Sequence, residues 1–128
     1  MKELDLFDII SEQKLAQFLS RVKNTYVESV QYHNDLHGAD VMQVAYCMLK
    51  MGLKESLNLN KLDCLSFIIA AVCHDLGHDG YNNSYHVNAT TQRAIDSNDV
   101  SVQETFHASE LFRILSNESC NFTDQFSK

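Results

Sequence analysis

An all-α fold, a compact helical array, is predicted from three observations. The 128-residue chain has no proline, β-branched runs are scarce, and apolar residues recur with the 3.6-residue helical period. Its apolar content of 45% suits one domain with a modest core. No repeat, linker or second domain interrupts residues 1–128.

The first helix is expected over residues 3–22, with Leu4, Phe7, Leu15, Phe18, Leu19 and Val22 near one side and a break in the pattern at Ser11. A second covers 35–51, where Val41, Val44, Ala45 and Met48 form a stripe that continues back through His37 and turns that imidazole inward. Gly52 ends it. A third starts at the N-cap Asn60 and runs through Phe67-Ile68-Ile69-Ala70-Ala71-Val72-Cys73, apolar on every side, as in a helix that crosses the middle of a domain. Gly77 and Gly80 stop it within a turn of His74-Asp75. Residues 79–91 read as loop, with a short polar helix over 90–97. The last helix spans Ser101 to Leu115, with Ala108, Leu111, Phe112 and Leu115 inward and with Glu104 and His107 on the same stripe. Ser101-Val102-Gln103-Glu104 also matches a capping box. The tail from Ser116 is polar and expected to fray.

A net charge of −7 and a pI near 5.2 argue against a binder of nucleic-acid phosphates, which needs a basic face. Met1-Lys2-Glu3-Leu4-Asp5 lacks the apolar region of a secretory signal, and the longest apolar run, Phe67 to Cys73, is too short to span a bilayer. A soluble, cytoplasmic chain is expected. Cys47, Cys64, Cys73 and Cys120 show no C-x-x-C spacing, and the three in apolar helical segments read as small buried hydrophobes.

Chemistry concentrates in two i,i+4 histidine pairs, His33/His37 and His74/His78. An imidazole and a carboxylate at the end of a buried helix are costly to desolvate without a partner. His74 and Asp75, joined by His37 from another helix, would make a three-ligand, open metal site; alone, His74-Asp75 reads equally well as a hydrogen-bonded pair or a cap, and His37 alone reads first as a satisfied core histidine. His33, one turn before His37, can stand beside such a metal as a proton donor. Glu104 and His107 are candidates beside the same centre, and His86 follows no pattern and reads as a loop histidine.

Three ordered motifs carry a resemblance. They are Tyr32-His33-Asn34-x-x-His37-x-Ala39-Asp40-Val41-x-Gln43, Ala70-Ala71-x-x-His74-Asp75-x-x-His78-x-Gly80-x-x-Asn83, and Asn98-Asp99-x-Ser101-Val102-x-Glu104-x-x-His107. Over residues 27–115 the chain resembles the front part of the catalytic domain of class I 3',5'-cyclic nucleotide phosphodiesterases, which are HD-type metal hydrolases. The resemblance implies two-metal hydrolysis of cAMP, cGMP or both to the 5'-monophosphate. By that match His33 corresponds to the general acid for the departing O3', and His37, His74 and Asp75 correspond to ligands of a zinc ion. Asp75 would also reach a magnesium ion, with His78, Glu104 and His107 around that ion's water shell.

The chain departs from the family pattern in several places. The later metal-binding aspartate, the purine-recognising glutamine and the apolar clamp for the base lie beyond the matched region, so no substrate-binding residue is assigned and the second ion is expected to bind weakly. Asp124, in the polar tail, is not promoted to their place. Phe106 stands where the family has the first of two histidines, Gly77 and Asp79 stand for an acidic residue and a proline, and 90–97 is unusually polar. Two other functions compete. His74-Asp75-Leu76-Gly77-His78 echoes the H-E-x-x-H of metalloproteases, which requires one unbroken helix through both histidines. Alternatively the chain is a non-catalytic helical module whose uncovered apolar face self-associates or takes a partner chain.

Overall fold

The computed structural model describes residues 1–124 and 126, and among them every regular element is helical. Two short 3-10 turns, Lys2–Leu4 and Leu6–Asp8, precede α1, Glu12–Thr25. The single helix expected over 3–22 is therefore split. Asp5 takes a left-handed conformation between the two turns, and Ser11, where the apolar pattern broke, is the N-cap of α1, its hydroxyl accepting from the Lys14 N–H. Leu4, Leu6, Ile10, Leu15, Phe18 and Val22 still join one core, and the second turn packs against the third long helix, over residues 61–73.

Helix α2, Asp35–Met48, is capped by Asn34, whose side-chain oxygen accepts from the N–H groups of Leu36 and His37. It is followed by Leu49–Leu53, where two helices meet at a kink, and by the short α3, Lys54–Ser56. Gly52, at φ 109°, leaves the helical conformation, so the helix breaks there as expected. Only part of the expected stripe is buried. Ala45 and Leu49 face the core, while Val44 and Met48 stay about half exposed.

Helix α4, Lys61–Cys73, has a complete capping box in which Asn60 and Asp63 serve each other's backbone. Cys64, Leu65, Ile68, Ile69, Val72 and Cys73 are buried, but Leu62, Ser66 and Ala70 are exposed, so α4 is covered on one flank only. The segment expected as loop contains α5, Asn83–Asn88, with Asn82 as N-cap, and the short polar helix beyond it is α6, Gln92–Asp96. Helix α7, Val102–Leu115, forms where expected, but Ala108 and Phe112 face outward and Val102, Gln103 and His107 are its buried residues. The Ser101 capping box does not form. Ser101 is left-handed and makes no side-chain cap bond; Asn83 of α5 supplies its oxygen to the Gln103 N–H instead.

Helix α2 lies along α4, and α7 packs across α1 and α4 with α5 and α6 on its outer side. Tyr26 sets the α2–α4 spacing. Its buried hydroxyl donates to the Val72 carbonyl, and a Cβ at Gly38 would lie 2.7 Å from that oxygen. Glycine after His37 thus lets α2 approach α4. The described part of the tail is packed rather than frayed: Cys120 and Phe122 are buried, and the Phe122 ring meets Phe18 edge-on at 4.9 Å. The expectation for residues 125, 127 and 128 lies outside the described residues. Of the cysteines, Cys47 is exposed and Cys64, Cys73 and Cys120 are buried.

Candidate metal centre

Close packing of α2 on α4 brings His37, on the inner side of the first turn of α2, to the C-terminal end of α4, where His74 is the C-cap and Asp75 follows. His37 Nε2 lies 3.1 Å from His74 Nε2 and 3.3 Å from Asp75 Oδ2, and His74 Nε2 lies 3.0 Å from the same carboxylate oxygen. The three form the group of His, Cys, Asp and Glu side chains able to hold a metal ion among the described residues.

Hydrogen bonding decides what these atoms offer. His74 Nδ1 faces the Ala71 carbonyl at 2.9 Å, and a carbonyl only accepts, so Nδ1 carries the proton and Nε2 presents a lone pair in the neutral ring. That lone pair confronts the Asp75 carboxylate and the His37 nitrogen. With the His37 proton on Nδ1, three electron-pair donors meet here, an arrangement that a cation among them stabilises. Their spacings also match the edges of a coordination shell with bonds of about 2.0–2.2 Å, so the donor set fits a divalent ion such as zinc.

Around this cluster, His107 is buried on α7, and its Nδ1 donates to the Leu76 carbonyl at 2.7 Å while Nε2 faces Asp75 Oδ1 at 3.8 Å. Burial holds the His107 imidazole below its usual pKa. His78 stacks on His33 with ring centroids 4.0 Å apart and lies 5.6 Å from the His107 ring. The Gly80 N–H donates to His78 Nδ1, which leaves Nε2 as the N–H of the neutral ring. Burial first, and then the neighbouring His33, lower the His78 pKa. Glu104 is exposed and accepts from Asn83 Nδ2 at 3.0 Å, a bond that lowers its carboxyl pKa. Asp124 stands elsewhere, ion-paired with Lys14 on the surface.

The metalloprotease geometry is absent: α4 ends at Cys73, Gly77 turns left-handed at φ 68°, and His78 meets His33 and His107 instead of joining the metal cluster. Sequence reading also missed a polar network. His86, read as a loop histidine, is 2% exposed, with Nδ1 at Thr91 Oγ1 and Nε2 at Asp79 Oδ1. Gln103, at 4% exposure, donates to Asp79 Oδ1 and to the Tyr81 carbonyl and accepts from Arg93. The available signal was that Gly77, Asp79, Phe106 and the polar 90–97 segment all departed from one pattern together.

The profile of the 3'5'-cyclic nucleotide phosphodiesterase family matches residues 32–128. The chain belongs to this family. It is 38% identical over 112 residues to 3',5'-cyclic-nucleotide phosphodiesterase regA of Dictyostelium discoideum, a match covering 88% of this chain and 14% of that protein. A high affinity cGMP-specific 3',5'-cyclic phosphodiesterase 9A of Drosophila melanogaster is 39% identical over 114 residues, covering 89% of this chain and 7% of the relative. The crystal structure of the phosphodiesterase domain of the RhoPDE fusion protein from the choanoflagellate Salpingoeca rosetta superposes with a TM-score of 0.92 at 31% identity, across 99% of this chain and 40% of that one. The phosphodiesterase fold expected from the motifs is the fold observed, and the chain spans a minor part of each relative.

Proposed function

We propose that the chain is the metal-bearing part of a cyclic nucleotide phosphodiesterase, which opens the 3',5'-cyclic phosphate of cAMP, cGMP or both to the 5'-monophosphate in the cytoplasm. The observation that carries this reading is the meeting of His37, His74 and Asp75 at 3.0–3.3 Å. In this reading His37, His74 and Asp75 would hold a zinc ion, and Asp75 would also help to hold a magnesium ion. When bound, two such cations activate a water at neutral pH and offset the charge that builds on the phosphoryl oxygens.

The chain's own side chains do the rest. Asp75 brings a full negative charge to a site whose other donors are neutral imidazoles. His74 is held in one tautomer by Ala71, so its ligating nitrogen needs no rearrangement. His33 supplies the proton to the departing O3', and its stacking on His78 fixes the ring's face. His78, with its proton on Nε2, and His107, with its lone pair on Nε2, offer one donor and one acceptor to the water shell. Glu104, oriented by Asn83, adds a charged acceptor.

Metal titration of this chain tests the reading, followed by cAMP and cGMP hydrolysis by a chimera extending it with the remainder of the Salpingoeca rosetta domain. Stoichiometric zinc is expected, with affinity falling about 100-fold or more in His74→Ala or Asp75→Ala and hydrolysis abolished. Zinc binding or hydrolysis unchanged by both substitutions would refute it. A second reading, a non-catalytic interaction module, is favoured by the uncovered α4–α7 face, where Leu62 is 46% and Phe112 65% exposed. A folded chain that takes up no zinc supports that alternative.

A further inference from the structure

The turn Gly77–Tyr81, which carries His78, contains two left-handed glycines, Gly77 at φ 68° and Gly80 at φ 90°, and belongs to no helix. Such a segment holds one shape only if its backbone polar groups are tied down. Apart from the His78 N–H, which donates to the Asp75 carbonyl at 3.1 Å, the ties run through side chains. The Gly77 carbonyl accepts from Arg93 Nη2 at 3.0 Å, the Gly80 N–H donates to His78 Nδ1 at 2.9 Å, the Tyr81 N–H donates to Asp79 Oδ1 at 3.2 Å, and the Tyr81 carbonyl accepts from Gln103 Nε2 at 2.7 Å. Arg93 Nη1 also donates to Gln103 Oε1 at 2.6 Å, and Gln103 Nε2 donates to Asp79 Oδ1 at 3.0 Å. The guanidinium rests on the Phe106 ring, 3.6 Å from its centroid, and that ring fills the space where a Cβ on Gly77 would come within 2.9 Å.

We propose that Arg93 of α6 and Gln103 of α7 are positioning residues that clamp the Gly77–Tyr81 turn and thereby hold His78 in its stack with His33. Neither touches the metal cluster; both act through the turn. The clamp accounts jointly for the four departures in sequence. Glycine at 77 admits Phe106, Phe106 seats Arg93, and Asp79 and Arg93 meet on Gln103. Why the position of His78 matters rests on the function proposed above, but the clamp is detectable without metal or substrate.

The decisive variant is Gln103→Glu. It keeps the volume and the acceptor for Arg93, but sets lone pairs against Asp79 and the Tyr81 carbonyl in place of two N–H donors. Arg93→Met, on a more exposed helix, is the second variant; it keeps an apolar stem over Phe106 and deletes the guanidinium. Amide hydrogen exchange and the imidazole nitrogen spectrum of His78 are read on the metal-free chain. In both variants Gly80 and Tyr81 are expected to exchange about tenfold faster or more, and His78 Nδ1 to lose the signature of an accepted hydrogen bond, while amides of α4 and α7 change less than about twofold. An unaltered His78 spectrum with unchanged Gly80 exchange overturns the proposal. So does an equal acceleration throughout α4 and α7, which would mean only global destabilisation. Loss of zinc binding in His74→Ala tests the metal reading separately, so the two can fail independently.

Discussion

At the residue scale, the site is organised by which nitrogen of each imidazole is committed to the backbone. Ala71 and Leu76 each accept from an Nδ1–H and so free the Nε2 lone pairs of His74 and His107, whereas the Gly80 N–H does the reverse for His78. Two further groups respond to pH and reagents in opposite ways. Burial raises the Asp79 pKa, but the Tyr81 N–H, the Gln103 amide and the Arg93 charge together outweigh it and leave the carboxyl below its usual range. The ionised form therefore favours the folded state. That contribution is complete above the unfolded value of about 3.9 and is lost as pH falls through the lower folded value. Asp79→Asn should accordingly flatten the dependence of denaturation midpoint on pH below about 4, measured by urea unfolding across an acid series; an unchanged slope would contradict the assignment. Cys73 shows the other extreme, its thiol pushed up to about 12 by burial. Iodoacetamide at neutral pH should modify the exposed Cys47 in the folded chain and leave Cys64, Cys73 and Cys120 intact, with mass spectrometry as the readout.

At the element scale, the approach of α2 to α4 is what brings His37 to His74 and Asp75, and Gly38 is the contact that permits it. Gly38→Ala drives a methyl into the Tyr26 hydroxyl, which its bond to Val72 pins in place. The expected cost is about 1–3 kcal/mol of stability, together with weaker zinc binding because His37 is carried away from His74 and Asp75. Calorimetry and metal titration on one variant check both, and loss of neither would show that α2 tolerates the shift. The start of α7 is an element-scale case of long-range capping. Asn83→Ala should cost about 1 kcal/mol and raise amide exchange in the first turn of α7, while Ser101→Ala should do almost nothing.

On the scale of the whole molecule, the core is asymmetric. Turns at the N-terminus, α1, α4 and the tail residues Cys120 and Phe122 share one apolar cluster, yet α4 leaves Leu62, Ser66 and Ala70 open beside Phe112. This chain covers 40% of the solved domain that it superposes on. An open apolar face of this kind should make the isolated chain self-associate with concentration, and Phe112→Asp should reduce that association in sedimentation velocity without lowering the melting temperature. No helix among the described residues is long and apolar enough to cross a membrane.

What could be read directly from the chain was local or strongly patterned. The absence of proline and the helical period determined the all-α class, and Asn60 with Asp63 marked the start of α4. The pairs His33/His37 and His74/His78, with Asp75, marked a candidate site, and the family resemblance added Glu104 and His107 to it. The misses have a common cause. Ser11 broke a pattern because it starts a helix, and Ser101 goes uncapped because Asn83, distant in sequence, does its work. His86, Phe112 and Cys120 took burial or exposure from neighbours that no local window contains. Residue type and spacing decided which side chains could act. Only tertiary packing decided which atoms meet, since the orientation of each imidazole is set by a backbone group and the gap between α2 and α4 by a tyrosine resting on a glycine.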